Sequence, residues 1–326
     1  MNRQEIIFLY DIQDNNPNGD PLDSNKPRID EETGINYVTD VRLKRTIRDY
    51  LYEYKGKEIF VREIRNEKGE VQDAKTRAKD FGNNKEEVAE KVLKDCIDVR
   101  LFGATIPTEF KKEKTSKKEK TEEDDKKEKK ETSSITFTGP VQFNVGRSLH
   151  KVSLKRIKGT GAFASGDNKE ARTFREEYIL PYSLIGFYGI INENAAKITN
   201  LSNEDLKLLI ESIWNGTKNL ISRSKIGQQP RLLLSITYKE DNFHIGDLIK
   251  GIKLVTELNE EEEIRGPEDY VLNLDGLVDA LTINKDKIAK TEYKIDSKLK
   301  FVVNGKETEF CDILNVFSLS ELQIKG

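Results

Sequence analysis

The sequence predicts an α+β fold, and three observations carry that expectation. Apolar runs of strand character alternate with long segments whose apolar residues recur at helical spacing. Their order is strand, helix, strand, a charged interruption, then strand, helix, strand. Without the interruption this is the βαββαβ order of a ferredoxin-like or RRM-like core, here with large insertions. No internal repeat and no Pro/Gly-rich linker divides the 326 residues, so a single elaborated domain over 1–326 is expected.

The elements follow in order. Glu5 to Ile12 is an apolar strand. A helix runs from about Thr39 to Tyr54, because Thr39 or Asp40 can cap its free N–H groups. Leu43, Ile47, Tyr50, Leu51 and Tyr54 share its core face, and Lys44, Arg45 and Arg48 fall on an adjoining one. Glu58 to Ile64 reads as the second strand, and Lys85 to Val99 as a helix with Val88, Val92, Leu93, Cys96 and Ile97 inward.

Lys111 to Glu131 then breaks the pattern, with ten Lys, eight acidic residues and no hydrophobic residue among 21. Such a run buries too little apolar area to offset ordering, which costs roughly 1–2 kcal/mol per residue, so a disordered insertion is expected. Strands resume at Ile135–Thr138, at Val141 to Val145 and near Val152 to Ile157, and Tyr178 to Ile191 is strongly apolar. Asn203 to Ile221 is the clearest helix, opened by Ser202 and Asp205 in capping-box positions. Trp214 falls on its apolar face and is read as core. Arg231 to Tyr238 is the next strand, and Tyr293 to Val303 adds more, with a tight turn at Asn304-Gly305.

Composition excludes some classes. Hydrophobic residues are 36% and charged residues 35%, so the core is modest and the surface ionised. The net charge of −3 does not announce a nucleic-acid binder, but the distribution is uneven. Arg147 to Arg175 holds eight Lys/Arg against two acidic residues, and Glu257 to Asp279 holds nine acidic residues against Arg265. Cys96 and Cys311 stand far apart without metal-ligand spacing, which fits a reducing cytoplasm. The N-terminus lacks the apolar run of a signal peptide, and no stretch is apolar for long enough to span a bilayer.

The most specific motif is Asn16-Pro17-Asn18-Gly19-Asp20-Pro21, directly after the first strand. Its prolines, glycine and asparagines exclude helix and regular strand, and a strand-anchored loop of this kind is a common place for ligand contacts. Pro27-Arg28-Ile29-Asp30, Thr33-Gly34 and the basic helix from Val38 follow. The run from Asp11 to Arg48 resembles the backbone subunit of type I CRISPR Cascade complexes, in the subtype I-B and I-C branch. That family belongs to a repeat-associated RNA-binding superfamily with an RRM-like core. Weaker similarity continues at Gly139-Pro140-Val141-Gln142-Phe143, at Gly146-Arg147-Ser148 and at Ser222 to Gly227.

The resemblance implies a non-catalytic subunit, active in antiviral defence, that polymerises along one CRISPR RNA. Target DNA would be read by pairing with the guide. Further partners would be copies of itself, the large subunit, the subunit capping the 5′ end of the guide, and the effector nuclease-helicase. It implies no cofactor, no metal and no membrane. It also implies that basic residues of the first helix contact RNA. Asn18, Arg42, Lys44, Arg45 and Arg48 are the candidates there, with Arg42 nearer the opposite side of the helix. Phosphate contacts of this kind give affinity without sequence dependence, as a guide of variable sequence requires. The same helix residues also read as an ordinary solvated face.

Two further sets are candidates. Arg147, His150 and Lys151 lie on a basic strand, with Arg147, Lys151 and Lys155 in step on one face. Arg223, Ser224, Lys225 and Gln228 follow the long helix in a turn that mixes charge with amides. Gly159 to Gly166 has the composition of a flexible loop, and the family's thumb hairpin makes Phe163 a candidate wedge.

The alternative function is a metal-dependent endoribonuclease of the same superfamily. It would use Asp11, Asp14 or Asp20 to hold an ion. The NPNGDP pattern falls with the non-catalytic group, which leaves Asp20 to shape the loop. No Walker loop, zinc site or Ser/His/Asp set is visible.

Overall fold

The computed structural model describes residues 1–65, 68–110, 131–160, 174–313 and 319–324. The charged insertion, from Lys111 to Lys130, and most of the 159–166 loop, including Phe163, lie outside the described residues. The chain has a mixed α+β fold. Its principal elements in chain order begin with β1 (Gln4–Asn15), α1 (Asp40–Glu53) and α2 (Lys85–Asp95). Next come β2 (Gly103–Phe110), β3 (Glu131–Thr138), β4 (Gly146–Lys151), β5 (Lys155–Thr160) and β6 (Phe174–Ile191). The last are α3 (Asn203–Lys218), β7 (Gln229–Tyr238), α4 (Asp275–Ile283) and β8 (Ile288–Ile295).

β1 lies in the middle of the main sheet. It pairs antiparallel with β6 on one side and β7 on the other, placing Phe8 opposite both Phe187 and Leu233. From edge to edge the order is Leu319–Glu321, β8, β7, β1, β6, β4, Ile35–Val38, Ile29–Asp30. β1 is apolar without alternation because both of its faces are covered. Ile6, Phe8, Tyr10 and Ile12 pack with Leu43, Ile47, Leu51, Leu209, Ile213 and Trp214 from α1 and α3. Ile7 and Leu9 face the other way, into a core with Leu248, Leu272, Leu277, Leu281 and Phe301 from the C-terminal third.

Capping places the two long helices. Thr39 accepts from the Arg42 N–H to open α1. Ser202 and Asp205 form the reciprocal capping box that opens α3. Gly216 lets α3 lie close on α1, since a Cβ there would meet Tyr50 at 3.1 Å and the Thr46 carbonyl at 3.3 Å. The Asn304-Gly305 turn is as expected, with φ of 50° and 72° closing the hairpin of Phe301–Val303 and Lys306–Glu307.

Several expectations need correction. Glu58 to Ile64 is not a strand; it makes only a single bridge, Glu58 to Cys96. The buried Asp98 carboxylate takes the N–H groups of Phe60 and Val61 at 2.8 and 3.1 Å, doing the work of a strand neighbour. The strands that follow α1 and pair beside β6 in the main sheet are instead Val141–Phe143 and β4. The 85–99 helix ends at Asp95, because Cys96 turns extended and Ile97 donates to Glu58 before a second short helix, Ile97–Phe102. Both helices join the β2–β3 hairpin around a third core of Phe60, Phe81, Val88, Val92, Cys96 and Ile106. The 203–221 helix stops at Lys218, and the strand near 152–157 starts at Lys155. Among the described residues no helix is long and apolar enough to cross a membrane.

Candidate nucleic-acid interface

Three segments meet at the end of β1. The Asn15 amide donates to the Ile226 carbonyl, and the Asn16 N–H donates to Ser224 at 3.2 Å. The Asn16 side chain holds the Asn25 carbonyl at 2.6 Å, which closes the loop on itself. Asn18 reaches back to α1, where its Oδ1 accepts from the Thr39 N–H at 2.9 Å and from the Thr39 hydroxyl at 3.0 Å. The NPN loop therefore fixes the start of α1 and the turn before β7 in one arrangement. Sequence reasoning singled out Asn18 as a site residue but passed over Asn15, whose side chain fastens that turn, and gave Asn16, whose backbone holds it, only as the first residue of the motif.

This arrangement brings Arg42 and Lys225 together. Lys225 Nζ donates to the Asn16 carbonyl at 3.0 Å, and Arg42 Nη2 donates to the Thr46 hydroxyl at 3.0 Å. Both cations are partly buried, and neither is ion-paired among the described residues. Burial, then the charge of Arg42, pushes the Lys225 pKa down to about 8. Burial likewise lowers that of Arg42. Arg42 Nε and Asn16 Oδ1 are buried with no hydrogen-bond partner among the described residues. Gln228, itself buried, lines the same recess with Tyr10 and Thr217. Two cations without a direct ion-pair partner among the described residues, at the positive end of α1, are relieved when an anion enters.

The other candidates divide by environment. Lys44 is paired with Asp40 at 3.0 Å and with Gln142 at 3.0 Å. Arg48 is held by buried Asp98 at 3.0 Å and lies over the Phe102 ring. Both side chains are only 12% exposed, so their charges are committed inside the fold. Arg45 is bound by both oxygens of Asp49 on the exposed face. Arg147 and Lys151 point to solvent from β4, and Arg147 has Asp30 as its one ion-pair partner among the described residues, at 3.9 Å. Arg223 is exposed and bridges to Glu177 at 3.1 Å, while Ser224 is half-buried.

His150 alternates to the opposite face from Arg147 and Lys151 and is 1% exposed. Its Nε2 accepts from the Leu184 N–H at 3.2 Å, so Nδ1 carries the proton and donates to the Lys151 carbonyl at 2.7 Å. Burial lowers its pKa, and the ring is a neutral brace that offers no atom to a surface ligand.

The aspartates do not converge. Asp11 is buried, taking Arg231 at 2.7 Å and the Tyr182 hydroxyl at 2.7 Å. Asp20 accepts from the Leu22 N–H and pairs with Arg28 at 3.1 Å, shaping the loop. Asp14 is exposed at φ 47°. Among the described residues no group of three or more His, Cys, Asp or Glu is placed to hold a metal ion.

Comparison with known proteins identifies the family. Residues 2–275 match the family described as CRISPR-associated protein Cas7. A protein of that description from Haloferax volcanii is 34% identical over 331 residues, covering 94% of this chain and 91% of the relative. In fold, the chain is similar to one from a structure titled CRISPR RNA-guided surveillance complex, pre-nicking. The TM-score is 0.51 at 10% identity, over 93% of this chain and 96% of the other. The match over most of the chain and the identity to the Haloferax protein place this chain in the Cas7 family of CRISPR-associated proteins.

Proposed function

We propose that this protein is the CRISPR-RNA-binding backbone subunit of a type I surveillance complex, in the subtype I-B and I-C branch. Several copies line one guide, and the guide pairs with target DNA. The observation that carries the reading is the Arg42–Lys225 pair, two half-buried cations with no direct ion-pair partner among the described residues, the carboxylate felt by Arg42, Asp49, being engaged by Arg45. A phosphate supplies such a partner without regard to sequence. The strand order β7, β1, β6, β4, with α1 and α3 packed on one face, supports an RRM-like core in a single domain. Arg45, Arg147, Lys151 and Arg223 are exposed and extend the cationic surface. The large subunit, the 5′-end subunit, the effector nuclease-helicase and a cytoplasmic setting follow from the same reading.

The test is purification from cells carrying a CRISPR array. Uniform guide-derived RNA should accompany the wild type and be lost from an Arg42→Gln, Lys225→Gln double variant. RNA-free wild type would refute the reading. The competing reading, a metal-dependent endoribonuclease, has no observation in its favour, since Asp11 is engaged by Arg231 and Asp20 by Arg28. Cleavage of bound RNA by pure wild type with Mg²⁺, lost in Asp11→Ala, Asp14→Ala or Asp20→Ala, would reinstate it.

A further inference from the structure

A polar cavity of about 310 Å³ lies beside the same turn, on the opposite face of β1. Asp11 and Gln13 line it, whereas Tyr10 lies with Arg42 on the other face. Residues 224–227 run between the two places, with Lys225 at one and Gly227 lining the other. Gly227 adopts φ 85°, and a Cβ there would meet only the Asn15 amide, at 4.0 Å.

The polar groups of the cavity form two sets. Asp11 and Arg231 are buried and engaged with each other, with Tyr182 and Asp296 as further partners. Arg265 and Lys298 are exposed, and neither has an ion-pair partner among the described residues. Arg265 spends one nitrogen on the carbonyls of Glu262 and Ile264, which steadies it at the rim. The side-chain amides of Gln13 and Gln229 face the cavity without a hydrogen bond among the described residues. One carboxylate, Glu268, is exposed at the rim and opposes them.

Two free cations and two free amides against one free carboxylate suit an oxyanion. We infer that this cavity takes a phosphate of the same RNA strand, close along the chain from the one held by Arg42 and Lys225. The strand then crosses the end of the sheet over Ile226 and Gly227. This inference rests on the RNA-binding reading and adds Arg265, Lys298, Gln13 and Gln229 to the RNA path.

The charges involved are exposed, so neutral replacements leave the fold intact. Single-stranded RNA of unrelated sequence is titrated at several salt concentrations against wild type, Lys298→Gln, Glu268→Gln and Arg42→Gln. Lys298→Gln should lower the salt slope by about 0.7, the loss of one phosphate contact on a single strand. Glu268→Gln should tighten binding, because it removes the one lining carboxylate without an ion-pair partner among the described residues. The inference fails if Lys298→Gln and Glu268→Gln bind as wild type while Arg42→Gln is weakened. It fails equally if the two changes alter only association between copies in sedimentation. If Arg42→Gln also binds as wild type, it is the RNA reading beneath that has failed.

Discussion

Replacing Lys225 tests the cation pair most directly, because its ionisation falls in an accessible range. In the free protein Lys225 titrates near pH 8, held down by burial and then by Arg42. A bound phosphate favours the charged form and returns the pKa toward the ordinary lysine value of about 10.4. The free protein therefore loses its proton first as pH rises, and affinity falls. With those two values, linkage gives roughly a tenfold loss of affinity between pH 7 and pH 9. Lys225→Arg stays charged throughout and should bind with little pH dependence. Lys225→Gln should be pH-independent and weaker. Together with Arg42→Gln it removes two contacts, or about 1.4 units of salt slope, so the fall in affinity from 50 to 200 mM salt becomes about sevenfold smaller. Filter binding of a single-stranded RNA at four pH values and four salts reads both effects. A wild type whose affinity is flat from pH 7 to 9, or a double variant with an unchanged slope, would refute the argument.

For stability the sign is opposite to the usual one for lysine. The folded pKa lies below the unfolded value, so the unfolded chain binds more protons between them, and RNA-free protein should gain stability as pH rises from about 8 to 10. Urea titration of wild type against Lys225→Gln checks this, and the gain should vanish in the variant. Arg48→Ala leaves the fully buried Asp98 without its cation and should cost about 3–5 kcal/mol in urea unfolding. A loss below 1 kcal/mol would return Arg48 to the list of free surface charges. Replacing residues 111–130 by a two-residue turn should leave the melting temperature within about 2 °C, since Phe110 and Glu131 already sit opposite each other in the β2–β3 ladder. Ser202→Ala removes half of the α3 capping box and should cost about 1 kcal/mol by the same measurement.

Local signals located what is local. The apolar run of β1, the Thr39 cap and the Ser202–Asp205 capping box each act within one element, and each is where periodicity and capping chemistry place it. The failures come from partners distant in sequence. Ile59 and Phe60 have strand composition, but Asp98, some 38 residues on, takes the backbone of Phe60. Lys44 and Arg48 share a basic face in projection, yet Asp98 holds Arg48 there, while Lys44 is shared between its helix neighbour Asp40 and the distant Gln142. Arg42 looked displaced from that face, and it is the residue that meets Lys225 in the turn before β7. Charge alternation marked Arg147 and Lys151 as a pair, and the same alternation turns His150 inward. The C-terminal third carried no motif, although its residues cover the second face of β1 and supply Arg265 and Lys298 to the cavity.

The central position of β1 has a consequence during synthesis. β1 leaves the ribosome well before its sheet neighbours among the described residues, which begin near Leu180 and Gln229. At about 5–20 residues per second it waits roughly 10–45 s for both neighbours. Throughout that interval Ile6-Ile7-Phe8-Leu9-Tyr10, a run without charge, proline or glycine, has neither of its two covering layers. Such a segment is prone to pair with its counterpart on another nascent chain. Recovery of folded protein therefore depends on translation speed and on whatever shields the emerging β1, before the finished fold contributes any stability of its own.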